Sequence, residues 1–149
     1  LNFAEMVFGH PDAVHGLCTK NDAGVDLTDS ITLSWADGRV ANLTAVANCV
    51  SDRNGVIYGT KGFLVVDNIN NPQGIKVYDD GYRLIHSVDC PPQLTGYEYE
   101  VLETVDAIHK GLPECPSMPH RETVHVMELM DHLRAQMGIR YPCEEIDPA

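Results

Sequence analysis

Between Leu27 and Cys49, apolar and small polar residues alternate so strictly that only paired β-strands satisfy the pattern. Leu27, Ile31, Leu33 and Trp35 fall on one side, and Thr28, Ser30, Thr32 and Ser34 on the other. Val40–Cys49 follows through Ala36-Asp37-Gly38. A two-residue Asp-Gly turn would set Leu33 opposite Asn42 and Ile31 opposite Thr44, mixing the two faces. A three-residue loop with a left-handed Gly38 sets Leu33 opposite Ala41, Ile31 opposite Leu43, Thr32 opposite Asn42 and Ser30 opposite Thr44. Sidedness selects the three-residue loop, because a slip of one residue turns every side chain over. The face of Thr28, Ser30, Thr32, Ser34, Asn42 and Thr44, with Val46, lacks the Lys and Glu of an ordinary solvated sheet. It is either a wet face or a surface that meets a second copy. We read it as a two-fold dimer contact of roughly 1,600 Å² or more.

The rest of the first two-thirds continues in hairpins. Ala13–Thr19 precedes the pair just described. Gly55–Tyr58 and Phe63–Asp67 flank Gly59–Gly62, and Ile75–Asp79 and Tyr82–Val88 flank Asp80-Gly81, where a two-residue turn would set Val77 opposite Leu84. Then the period changes. Thr95 and Glu98 form a capping box, Tyr97, Val101, Val105 and Ile108 recur at helical spacing, and Gly111 with Pro113 closes the segment. A second helix opens near Ser117 or Pro119 and stops at Gly138. Its apolar stripe is Val126, Met130, Leu133 and Met137, with Met127 beside it and Arg121, His125, Glu128 and His132 opposite. Strands in a run followed by helices in a run predict an α+β fold: an open, mostly antiparallel sheet of six or seven strands with the helices packed on one face. Leu1–Phe8 reads as the last turns of a helix stopped by Gly9, and a chain that starts in mid-helix reads as a piece of something longer.

The 149 residues are enough for one domain with its own core. A net charge of −12 makes nucleic acid and anionic membrane surfaces poor partners. No apolar run reaches the roughly 20 residues of a membrane helix, and no signal peptide is evident. Cys18, Cys49, Cys90, Cys115 and Cys143 are odd in number and never spaced as CxxC, which favours reduced thiols in a cytoplasmic protein over disulfides or a zinc site. His125, Glu128 and His132 share a helix face but lack a third ligand nearby in sequence, so the expectation is no metal.

Three runs carry a family likeness: YGTKGFLVVDNINNP (residues 58–72), GYEYEVLETVDAIHKG (96–111) and PECPSMPHRETVHVMELMDHLRAQMGIRYP (113–142). Together with WADGRVANLTA (35–45), they resemble the C-terminal domain of the Gfo/Idh/MocA oxidoreductases. The resemblance implies a two-domain, NAD- or NADP-dependent enzyme acting on a sugar, polyol or related hydroxyl or carbonyl substrate. Residues 1–149 would be the half that shapes the substrate site and builds a homodimer or higher oligomer. The chain departs from the family by lacking a GxGxxG after a strand and the family's Glu-Lys-Pro segment, so neither cofactor binding nor a catalytic residue is expected in it, and the piece alone is expected to be inactive.

Asn68, Asn70 and Asn71 lie in the loop Asp67–Pro72, near the family's substrate site, and their amides can both donate to and accept from hydroxyls. The same residues also suit turns for backbone reasons alone. Tyr97 and His120, at the starts of the two helices, complete the substrate-facing candidates, although Tyr97 also falls on the apolar Val101 stripe. His120 is expected neutral, because a helix N-terminus disfavours an imidazolium. Two rival readings stand beside the dehydrogenase half. One is a non-enzymatic module that dimerises through its sheet; the other is a small-ligand carrier.

Overall fold

A computed structural model of the chain describes residues 1–141; Pro142, the last residue of the 113–142 run, and Cys143 lie outside them. The elements run α1 (Asn2–Phe8), β1 (Ala13–Lys20), β2 (Asp26–Ser34), β3 (Val40–Val46), β4 (Gly55–Gly59), β5 (Gly62–Asp67), β6 (Gly74–Asp79), β7 (Leu84–Asp89), α2 (Glu98–His109) and α3 (His120–Met137). The fold is α+β, with every strand pair antiparallel.

The seven strands do not form one sheet. They pair as β1-β2-β3 and as β4-β5-β6-β7. The break falls after Val46, three residues short of the Cys49 end that the sequence pattern predicts for this strand. Between the two sheets, at residues 51–54, backbone amides bond to nearby side chains instead of a ladder: Arg53 N donates to Ser51 Oγ (3.3 Å) and Asn54 N to Asp52 Oδ1 (3.2 Å), with Arg53 left-handed at φ 55°. Short polar side chains of this kind compete with sheet pairing for the same amides. The chain divides accordingly into two compact units, one of Leu1–Val50 with the chain from Pro116, the other Ser51–Cys115.

In the first unit the β2–β3 register is the one that sidedness selects, with Leu33 opposite Ala41, Ile31 opposite Leu43, Thr32 opposite Asn42 and Ser30 opposite Thr44. Gly38 is left-handed at φ 91°. Leu33, Val14, Trp35, Ala4 and Leu133 form the core, with Ile31, Leu43, Leu129 and Met137 packed against it. Thus α1 and α3 cover the Leu33 side. α3 approaches so closely that a Cβ on Gly16 of β1 would stand 2.9 Å from Leu133 Cδ2. It also blunts the free edge of β1: the Gln136 amide accepts from Gly16 N and donates to Val14 O, both at 3.0 Å, and Lys20 Nζ donates to the Gly138 carbonyl at 2.7 Å. The end of α1 is held by Trp35, whose indole N–H donates to Gly9 O (3.1 Å), and by Arg39, which donates to Phe8 O (3.1 Å). Within this unit neither α1 nor α3 lies on the Thr28–Thr44 face, where Thr32 Oγ1 donates to Asn42 Oδ1 at 2.9 Å.

The inward stripe of α3 differs from the one read from sequence. Leu129 packs on the core, while Met130 and Met127 are exposed, and half-buried His125 belongs to the inner side, not to the outer polar stripe. Spacing places Val126, Met130, Leu133 and Met137 near one another but leaves the helix's rotation open by a residue either way. The rotation of a helix is set by what it meets, and α1 offers a polar group to its first turns.

In the second unit β4 and β5 close around Thr60-Lys61, and β5, β6 and β7 follow in order. Phe63 stacks on Tyr78 at 4.8 Å. The β6–β7 register departs from expectation: Tyr78, not Val77, stands opposite Leu84, and Val77 stands opposite His86. The loop is Asp80-Gly81-Tyr82, with Tyr82 as the left-handed residue at φ 61°. Asp79 Oδ1 accepts from Gly81 N and Arg83 N, both at 2.9 Å, which fixes the longer loop. α2 also turns otherwise than read. Its Tyr97, Val101, Val105 and Ile108 are exposed, Tyr97 by 67%, and the inward residues are Glu103 and Ala107. Helical spacing shows which residues share a side, not which side meets protein.

Candidate functional site

Two segments of the second unit converge on the loop after β5. Asn68 is left-handed at φ 52°, a conformation that asparagine tolerates better than most residues. Its carbonyl accepts from Asn71 N (2.9 Å), while Ile69 N donates to Arg53 O (2.7 Å) and Gln73 N to Asp67 O (3.2 Å). Lys76 Nζ holds Asp67 Oδ2 at 2.8 Å. The loop is therefore built by its own backbone. The side chain of Asn71 lies against Gly96, where a Cβ would come within 3.1 Å of Nδ2; Gly96 is left-handed at φ 91°. Gln93 Nε2 reaches Pro72 O at 3.5 Å.

Asn71 is thus brought beside Gly96 and Tyr97, the start of α2. The Asn68 side-chain oxygen is buried without a hydrogen-bond partner among the described residues, a group that a hydroxyl donor would satisfy. Asn70 and Tyr97 are exposed. His120 belongs to the first unit, as the first residue of α3, and is exposed there.

The capping box is present in altered form. Glu98 Oε1 accepts from Thr95 N (2.6 Å) and Leu94 N (2.7 Å), and Oε2 from Gly96 N (2.9 Å), while Thr95 Oγ1 accepts from Tyr97 N (3.2 Å). These backbone donors, its own N–H foremost, hold the Glu98 carboxyl at about 2. A folded-state value below the ordinary one contributes stability above the ordinary pKa, and that contribution is lost as pH falls toward 2. Hydrogen exchange of the Leu94–Gly96 amides in Glu98→Gln is therefore expected to be faster than in the parent at neutral pH. The difference should vanish near pH 2, and equal protection at neutral pH would count against the nest.

That nest bears on nucleotide binding. The N–H groups ahead of α2 are the described ones that follow a strand, contain glycine and open a long helix, and a carboxylate already occupies them. With all strand pairs antiparallel, the described residues do not fit a dinucleotide pyrophosphate.

A second cluster, in the first unit, was not read from sequence. Glu5 of α1 is buried, its side chain 4% exposed, and Oε1 meets His125 Nε2 at 2.9 Å and His10 Nδ1 at 3.4 Å. Residues 5 and 125 are separated by the whole sheet region, so no motif could have signalled them.

No protein-family model matches the chain. Among proteins of known activity it is 28% identical over 143 residues to scyllo-inositol 2-dehydrogenase (NADP(+)) of Bacillus subtilis, covering 95% of this chain and 43% of that protein. It is 24% identical over 154 residues to trans-1,2-dihydrobenzene-1,2-diol dehydrogenase of mouse, covering 95% and 44%. The chain therefore spans less than half the length of the relatives it matches. Among solved structures, UDP-N-acetylglucosamine 3-dehydrogenase from Acidithiobacillus ferrooxidans superposes with a TM-score of 0.72 at 20% identity, covering 91% of this chain and 44% of that one. The resemblance carried by residues 35–45, 58–72, 96–111 and 113–142 holds: the chain is a homologue of the diol and inositol dehydrogenases and corresponds to the C-terminal part of Gfo/Idh/MocA-type oxidoreductases.

Proposed function

We propose that this chain is the substrate-shaping and oligomer-forming part of an NAD- or NADP-dependent oxidoreductase of the cytoplasm that acts on a hydroxyl of a sugar, polyol or cyclic diol. The observation that carries the reading is similarity along 95% of the chain to dehydrogenases whose substrates present adjacent hydroxyls. The loop after β5 agrees with it: Asn71 is held beside the glycine that opens α2, and Asn68 keeps an unsatisfied acceptor. Amides placed in this way would position a polyol by hydrogen bonds in both directions. No step of hydride or proton transfer is assigned to the described residues.

The Thr28, Ser30, Thr32, Ser34, Asn42 and Thr44 face is proposed as the contact with a second copy. These six side chains are small or short and uncharged, and α1 and α3 lie on the other side of the sheet.

One preparation tests both parts. The full-length protein that contains this chain should reduce NAD or NADP with a member of a panel of inositols, aldoses and cyclic diols, and should scatter as a dimer or larger. Asn71→Ala should raise KM about three- to tenfold with a smaller change in kcat, the loss of one or two neutral hydrogen bonds. A dimer with no turnover on any member of the panel would favour the non-enzymatic sheet-mediated module instead. A monomer at high micromolar concentration would remove the role given to the Ser/Thr face.

A further inference from the structure

The cluster at the start of α3 has features that a simple ion pair does not explain. Glu5 is buried, yet its Oε2 has no hydrogen-bond partner among the described residues, and Oε1 alone meets both imidazoles. The rings of His10 and His125 lie 3.8 Å apart by centroid. A buried carboxylate oxygen left open is a group that a cation bound by one or both oxygens would satisfy.

The donor geometry suits one. One ligand atom from each of Glu5, His10 and His125 can be chosen so that all lie within 4.8 Å of one another. Tetrahedral ligands about 2.0–2.1 Å from a zinc ion stand about 3.3 Å apart, so the 3.4 Å pair already fits and the 2.9 Å pair must open slightly. His10 presents Nδ1 to the cluster and Nε2 toward Glu122 Oε2, 3.8 Å away. In protein metal sites a ligating histidine usually donates its other ring nitrogen to a carboxylate, which fixes the ring; Glu122 stands just beyond hydrogen-bond reach and would take that part by closing a few tenths of an ångström on His10. His10 is half-exposed, which leaves an entry path and room for a water as fourth ligand. Two imidazoles and one carboxylate select a borderline cation over calcium or magnesium, which prefer all-oxygen shells.

We propose that Glu5, His10 and His125 form a binding site for a divalent cation of the zinc class, with Glu122 positioning His10. The site would tie α1 to the first turns of α3 within one unit, and it stands independently of the dehydrogenase reading.

The test uses purified protein stripped with a chelator and then dialysed. Zinc at micromolar concentration should raise the melting temperature by several degrees, and cobalt(II) should develop the visible absorption of a four-coordinate site. His125→Gln and His10→Gln should each weaken zinc binding about 100-fold, and Glu122→Gln about tenfold. His86→Gln, on β7 in the other unit, should change nothing. His10→Gln alters a half-exposed side chain and keeps the test valid even where a change at buried Glu5 prevents folding. Zinc affinity unchanged in both His10→Gln and His125→Gln overturns the proposal, as does stabilisation by magnesium equal to that by zinc, or no saturable zinc binding at all.

Discussion

Leu33→Ala is expected to destabilise the first unit by about 3–4 kcal/mol, within the range for deleting a leucine side chain from a rigid core. Leu33 is 0% exposed and stands between Val14 and Ala41 in the β1-β2-β3 register, with Leu133 and Trp35 in the same cluster. The space left behind cannot close readily. Val14 and Ala41 are held by ladder pairing, and α3 already sits as close to β1 as Gly16 allows. Trp35, the single tryptophan of the chain, lies in this cluster and packs edge-on against Phe8 at 5.3 Å, so its fluorescence reports the transition directly. The matching control is Thr32→Ala on the opposite face, where one exposed hydroxyl bond to Asn42 is lost and the cost should stay below about 1 kcal/mol. Urea melts showing similar costs for the two substitutions would mean that α1 and α3 do not cover the Leu33 side.

Gly62→Ala is expected to be as damaging in the second unit, at about 3 kcal/mol or more. A Cβ at this position would stand 2.0 Å from the Tyr78 carbonyl oxygen and 3.0 Å from Asp79 Cα, and φ is +146°, a conformation that L side chains rarely adopt. The obstacle is backbone, and neither strand can step aside. Gly62 pairs with Asp79 in the ladder, and the neighbouring Phe63–Tyr78 stack fixes the spacing of β5 and β6. Overpacking and backbone strain each cost about 1–3 kcal/mol, and here they act together. Gly59, at the other end of the same turn, makes the contrast. A Cβ there would meet only the Gly62 carbonyl at 3.4 Å, and its φ is not positive, so Gly59→Ala should fold normally. Denaturant melts followed by far-ultraviolet circular dichroism separate the two, and equal stability of both variants would show that the β5–β6 pairing is not as described.

Both expectations rest on facts of different legibility. The sidedness of Leu33 could be read directly, because a two-residue period and a glycine loop leave one register that keeps polar and apolar faces apart. The requirement at Gly62 could not, since it arises from a carbonyl sixteen residues away across a ladder. The β6–β7 hairpin shows the same boundary from the other side. Asp80-Gly81 resembles a two-residue turn, but Asp79 bonds two loop amides and moves the left-handed position onto Tyr82. A composition rule for turns cannot weigh a carboxylate that lies outside the turn.

By itself the sequence determined the α+β class, the element order, the β2–β3 register, the stops at Gly9 and Gly138, and the likeness to the dehydrogenases. These follow from local periodicity and from segment order, which the chain carries along its length. Only the tertiary structure decided that the strands close into two sheets, that α2 turns Ala107 and not Val101 inward, and that His125 faces Glu5. The same holds for Asn71 coming to rest against Gly96. Each of these depends on which surface a helix or loop meets after folding, and burial is a property of that meeting rather than of any stretch of residues.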